Sequence, residues 1–306
     1  MKFTIYQESR IGRRKTNQDR IAHCYSRDAL LLVLADGMGG HLHGEIAAQI
    51  AVQFITHAFQ REAQPLLQDP SMFLSRALSN AHNAILDYAF DKDLPEAPRT
   101  TVVACVIQEG QAHWAHAGDS RLYLLRGNRI VAQTRDHSRV QLMMDQGLID
   151  AEGAAHHPGR NRIYSCLGGN HPPQVEFSKR INLRDGDILA LCSDGLWGPL
   201  TDDGVLEGLR GRNVMDAVPV MMDRAEERGG PTCDNLSLIA VCWHDEKSVG
   251  EPDSVSTQTM ALSDFTTKLD TFGESHSSTP STLELTDDEI ERAIAEINSA
   301  IQKFSK

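Results

Sequence analysis

Four apolar stretches of this chain stop or start at an aspartate: LLLVLA runs into Asp36, AHWAHAG into Asp119, ILALCS into Asp194, and Asp234 lies just ahead of LSLIAV. An ionised carboxylate is expensive to bury alone. A chain built this way must leave those strand ends in water or gather them around something positive. Strand ends in a packed sheet can converge at one edge, where carboxylates far apart in sequence would repel each other unless a cation sat between them. Hard divalent ions with oxygen ligands, magnesium or manganese, suit such a set better than zinc.

Each acid has a plainer reading as well. Asp-Gly dipeptides are ordinary turn formers, and the chain has four, at Asp36, Asp185, Asp194 and Asp203. Asp185-Gly186 reads as such a turn and Asp203-Gly204 as part of a helix start. Asp36 and Asp194 differ because they terminate strong buried runs, and Gly37 lets the backbone carbonyl approach a ligand. Spacing alone does not settle the matter.

Around these acids the patterning is mixed. Apolar periodicity predicts helices over 44–60, 70–90 and 213–227, and strands over 3–7, 30–35, 101–107, 112–117, 121–126, 129–133, 187–192 and 236–243. The strands come in clusters rather than alternating with helices, so antiparallel sheets fit better than a doubly wound parallel sheet. Gly127-Asn128 reads as a hairpin turn between two of them. At 306 residues and 41% hydrophobic content the chain can bury a large core,. It reads as a globular protein.

The N-terminus carries charges and no long apolar stretch, and no run approaches the roughly 18 residues of a membrane span, so a cytoplasmic location is expected. Six cysteines lie scattered without Cys-x-x-Cys spacing, which argues against a disulfide framework or a zinc site. Net charge is −12, and from Asp245 onward 13 acids face 5 bases. Nucleic acid is a poor partner for such a chain.

Composition shifts after Trp243. Residues 245–282 are rich in Ser, Thr, Asp and Glu with little periodicity, and read as an acidic flexible linker. Within 283–306, Ile290, Ile294, Ile297, Ile301 and Phe304 recur at helical spacing behind a Thr286/Glu289 capping box. This predicts an amphipathic helix able to bind a partner groove or cover the active site.

In order, the chain carries GRRKTNQD, ADGMGGH, RTTVVA, AGDSRLYLLRGN, TRDHS, LCSDGLWG and CDNLSLIAV. These segments, spread over residues 3–243, resemble the metal-dependent serine/threonine protein phosphatases of type 2C in their bacterial form. The resemblance implies an α+β fold over 1–244, a four-layer α-β-β-α sandwich of two antiparallel sheets flanked by helices, with a metal cluster at one sheet edge. It implies hydrolysis of phosphoserine and phosphothreonine in phosphoproteins by attack of a metal-activated water, opposing a eukaryotic-like Ser/Thr kinase. A binding module that had lost catalysis would lack one of the metal acids, and none is missing.

Roles transfer position by position. Asp36 would bridge two Mn2+ or Mg2+ ions with the Gly37 carbonyl on one of them, and Asp194 and Asp234 would complete the other. Asp19 would orient waters around the metals, and Asp119 with Asp194 would hold a third ion. Arg14 would pair with the substrate phosphate, with Asn235 and Asp136 as supports.

Two departures stand out. The histidine proposed as general acid in eukaryotic relatives has no secure match, which leaves His41, with His43 behind it, as the candidate proton donor, although the plainer reading of His41 is a cap on the following helix. Arg99 stands where the family usually has Gly, before threonines that read as buried structural residues. Residues 139–165 match the family's flap, where Arg139, Arg160 and Arg162 read either as substrate contacts or as part of a solvated loop.

Overall fold

The computed structural model describes residues 1–38, 43–155 and 157–244. His41 and the whole of 245–306, with the expected linker and terminal helix, lie outside the described residues. In chain order the elements are β1 (Lys2–Arg10), β2 (Asp19–Tyr25), β3 (Ala29–Asp36), α1 (Gly44–Glu62), α2 (Pro70–Asp91), β4 (Val102–Gln108), β5 (Gln111–Ala117), β6 (Arg121–Arg126) and β7 (Arg129–Gln133). Then follow α3 (Arg139–Asp145), α4 (Ala151–Ala155), β8 (Glu176–Phe177), β9 (Ile181–Asn182), β10 (Ile188–Cys192), α5 (Asp194–Leu209), α6 (Val214–Gly229) and β11 (Leu236–His244).

Two antiparallel sheets result. One runs β1-β11-β10-β6-β7 and the other β2-β3-β4-β5-β8, with β9 also on β5. Period-two alternation decides what each strand buries. In β3, Leu30, Leu32 and Leu34 face Leu122, Leu124, Leu189, Leu191, Ile239 and Val241 of the other sheet. Leu31 and Val33, equally buried, take the opposite face, where α1 packs.

The outer face of the first sheet (Tyr123, Leu125, Ala190, Leu238, Ala240) is covered by α5 and α6 through Leu196, Leu200, Val205, Val218 and Met222. Helices α1 and α2 cover the second sheet. The four layers are those expected from the family resemblance. The helix starts are chemically marked. Asp69 accepts from the N–H groups of Ser71 and Met72 ahead of Pro70, and Asn213 accepts from Met215,.

The Gly127-Asn128 hairpin and the Asp185-Gly186 turn fall where the sequence placed them. Thr201 interrupts α5 with φ 65°, so Asp203-Gly204 opens the helical segment behind that kink. The short elements α3, α4, β8 and β9 escaped the sequence reading, and so did two longer ones. Strand β2 mixes Asp19, Arg20 and His23 into its run, and the first half of α5 carries Gly198 and Pro199 in place of helical periodicity. Among the described residues all six cysteines are free, and no helix is long and apolar enough to cross a membrane.

Candidate metal centre

The four acids read at strand ends come together, and Asp19, named by the family resemblance, joins them. Asp36 ends β3 directly opposite Asp19, which opens β2. Asp119 follows β5, Asp194 is the first residue of α5 just past β10, and Asp234 precedes β11. A link between the sheets ties this edge together. Ser193 Oγ donates to Asp19 Oδ2 at 2.7 Å and accepts from the Ser237 N–H at 3.0 Å.

The backbone of Asp36 is locked by the threonine pair. Its N–H donates to Thr101 Oγ1 (3.1 Å), and its carbonyl accepts from Thr101 N (2.8 Å) and Thr100 Oγ1 (2.9 Å). Thr100 and Thr101 are thus structural, as expected. Gly37 has a packing reason to be glycine beyond the ligand approach first suggested: a Cβ there would lie 2.3 Å from the carbonyl oxygen of Gly44.

Burial and mutual repulsion raise the proton affinity of Asp19, Asp36, Asp119 and Asp194. Burial pushes Asp36 well above the ordinary carboxylate range, and the charges of Asp19, Asp194, Asp119 and Asp234 push it further. Burial, then Asp234 and Asp19, take Asp194 up to about 7 against the pull of Arg14. Asp119 is raised by burial, Asp194 and Asp136. Asp19 is raised by burial despite the neighbouring Ser237 and Ser193 hydroxyls.

Asp19 Oδ1 is buried with no hydrogen-bond partner. An orphaned carboxylate oxygen inside a set of mutually repelling carboxylates is what a hard divalent cation would satisfy. The residues therefore fit the manganese or magnesium ions that the resemblance implies.

Arg14 sits at the rim. Its guanidinium forks Asp234, Nε to Oδ1 at 2.7 Å and Nη2 to Oδ2 at 2.6 Å, and its side chain is 55% exposed. Asn235 positions the loop that carries it. Its Oδ1 accepts from Gln18 N (2.9 Å), and its Nδ2 donates to the carbonyls of Ile11 (2.9 Å) and Thr16 (3.0 Å). Gly12, at φ 59°, brings this loop so close to Asp234 that a Cβ would lie 2.1 Å from its carbonyl oxygen.

Replacing Asn235 by Ala strands three backbone groups of that loop. Equilibrium urea unfolding is expected to show a loss of about 2 kcal/mol.

Asp136 stands apart from the metal acids. It forks Arg121 at 2.8 Å through both oxygens. The same guanidinium reaches Asp202 at 2.7 Å and lies 3.5 Å over the Trp197 ring, whose Nε1 donates to the Asp119 carbonyl at 2.9 Å. Asp136 thus supports Asp119 through Arg121 and Trp197, a chain of contacts that sequence spacing does not show. Ser193 was missed for the same reason.

His43 precedes α1 at φ 69° and makes no side-chain cap. The flap region holds α3 and α4, and a bridge from Ser138 to Ile163 anchors it.

An α-β-β-α sandwich with a carboxylate centre at one edge defines the structural class. The protein phosphatase 2C family model matches residues 6–232. The chain is 35% identical over 212 residues to the serine/threonine protein phosphatase PstP of Mycobacterium tuberculosis, covering 69% of this chain and 40% of PstP. It thus spans less than half the length of that relative.

A putative protein phosphatase 2C-type from Streptococcus pyogenes is 32% identical over 231 residues, covering 75% of this chain and 92% of that protein. The crystal structure of the PstP catalytic domain in complex with two manganese ions superposes with TM-score 0.68 at 30% identity, covering 79% of this chain and 99% of that one. The chain belongs to the protein phosphatase 2C family.

Proposed function

We propose that residues 1–244 form a metal-dependent protein phosphatase that hydrolyses phosphoserine and phosphothreonine in proteins, opposing a Ser/Thr kinase in the cytoplasm. The observation that carries this reading is the convergence of Asp19, Asp36, Asp119, Asp194 and Asp234 at one edge, with Asp19 Oδ1 left unpaired. The two manganese ions of the PstP complex support it.

Asp36, the Gly37 carbonyl, Asp194 and Asp234 would hold two such ions, with a third at Asp119 and Asp194. Bound there, the ions supply a nucleophile at neutral pH by lowering the pKa of water, and they offset charge on the phosphoryl group. Asp19, paired with Asp36 and held by Ser193, orients water on the inner side of the cluster. Thr100 and Thr101 fix the backbone of Asp36, which limits how far the cluster reorganises as charge develops,.

Arg14 meets the substrate. Its planar fork matches two phosphate oxygens and stays charged at any working pH. The half-exposed side chain can turn from Asp234 to a phosphomonoester at the rim. Arg14→Ala is expected to lower kcat/KM about 10- to 100-fold, the worth of a charge-assisted hydrogen-bond pair. Arg14→Lys restores part of this, since a point charge cannot reproduce the fork. Steady-state kinetics on a phosphothreonine peptide measure both. His41 remains the candidate donor of a proton to the leaving alcohol.

Release of phosphate from that peptide by the purified chain, with and without manganese, tests the whole reading. Absence of turnover under every divalent ion overturns it. The proposal extends to the 283–306 helix as a docking or autoinhibitory element. Truncation after residue 244 is expected to change kcat or partner binding, and identical kinetics and binding would remove the tail from the account.

A further inference from the structure

A second group of ligating side chains lies on the sheet behind Asp119. His116 of β5, His137 of the loop before α3, and Glu176 of β8 each offer one ligand atom, all within 4.8 Å of one another. The imidazoles stack with centroids 4.6 Å apart, and His137 Nε2 lies 3.6 Å from Glu176 Oε2. Both histidines are buried, at 2% and 4% exposure, and Glu176 opens the group to solvent.

His116 is prepared for a ligand. Its Nε2 bonds the Arg135 carbonyl at 2.7 Å, which places the proton on that nitrogen. Its Nδ1, the lone-pair nitrogen, is buried with no hydrogen-bond partner. A ring nitrogen freed in this way, with the other tied to a backbone carbonyl, is the usual condition of a metal-ligating histidine.

Burial holds both imidazoles below the ordinary histidine range, and with His116 alongside it takes His137 to about 4, so both are neutral near pH 7. Neutral imidazole is the form that binds metals. Arg135, whose charge acts on His137, is itself paired with Asp145.

We infer that His116, His137 and Glu176 form a binding site for a divalent ion of the zinc class, separate from the acidic centre. Two imidazole nitrogens and one carboxylate oxygen, open on the solvent side, suit zinc or cobalt and suit magnesium poorly. The arrangement costs one weak contact. For Nε2 of His137 to ligate, its proton moves to Nδ1, which loses the 3.3 Å hydrogen bond from the Gly118 N–H, and the ring turns enough to keep the two donors apart. The inference does not depend on the phosphatase reading, because its ligands include none of the five aspartates.

The test titrates the full chain with cobalt(II) in excess magnesium and reads exchangeable imidazole N–H protons shifted far downfield by proton NMR. Such signals arise only from histidine on the paramagnetic ion. The wild-type chain is expected to show them, Glu176→Gln to require at least about tenfold more cobalt, and His137→Gln to lose them. Glu176 is exposed, so its replacement reports on the site even if His137→Gln fails to fold. Absence of shifted signals in the wild type at millimolar cobalt overturns the inference, as do signals that appear at the same cobalt concentration in Glu176→Gln.

Discussion

Replacing Asp36 with Asn is expected to abolish turnover and, in chelator, to make the fold more stable. The two effects share one cause. Asp36 lies among four other carboxylates that push its proton affinity up, so in its ionised form it is a source of strain. Asparagine has nearly the same shape and no charge, and it removes the strain that the native residue stores.

The expected gain is about 1–2 kcal/mol at pH 8, or a few degrees in Tm for a domain of this size. The same change removes the charge expected to bridge two cations. Turnover of a phosphothreonine peptide should fall by about a thousandfold, the upper range for losing one preorganised electrostatic group. Thermal unfolding with chelator and peptide hydrolysis with manganese, run side by side, check both halves. A variant that is less stable in chelator and still active would show that the cluster is an ordinary hydrogen-bonded network.

Manganese is expected to stabilise the chain strongly, and more at pH 8 than at pH 5.5. The sign follows from linkage. Asp194 is held near 7 in the folded chain, and Asp36, Asp119 and Asp19 are also raised, whereas unfolded aspartates titrate near 3.9,. Between those limits the folded state binds more protons than the unfolded state. Stability in chelator therefore falls as pH rises from about 4 through about 7.

A cation reverses the trend because protons compete for the same oxygens, and its grip tightens as they leave. At a hundredfold excess over Kd the ion contributes about 2.7 kcal/mol, which corresponds to about 5–10 °C in Tm. Scanning calorimetry at the two pH values, with manganese or with chelator, measures it. A Tm that manganese leaves unchanged at pH 8 would contradict the proposed centre.

The acids were legible in sequence because a carboxylate ending an apolar run is locally odd. Asp36, Asp119, Asp194 and Asp234 can each be picked out without knowing what lies nearby. Asp19 has no such mark, since β2 begins with it and continues through Arg20 and His23. The family resemblance named it, and its register opposite Asp36 sets it in the cluster.

Ser193, Asn235 and the Arg121–Asp136 fork act through contacts between segments far apart in the chain, and no periodicity encodes such contacts. The two sheets could be read from clustered strands, but their layering came from the family resemblance. The pairing of His116 with His137 was invisible too, because the two lie on separate segments and no spacing links them.

Strand β11 pairs with β1 along its whole length, from Lys2 opposite His244 to Arg10 opposite Leu236, and lies between β1 and β10. The order of synthesis gives this pairing a consequence. The first strand made must wait for the last before its sheet can close, and the ladder that joins them is as non-local as the domain allows. Arg14 and Asp234, which meet across that closure, come from opposite ends of the domain. The fork from Arg14 to Asp234 therefore cannot form until Asp234 itself has been made. Under the proposed function, a fragment ending before Asp234 lacks one of the metal acids and is expected to remove no phosphate.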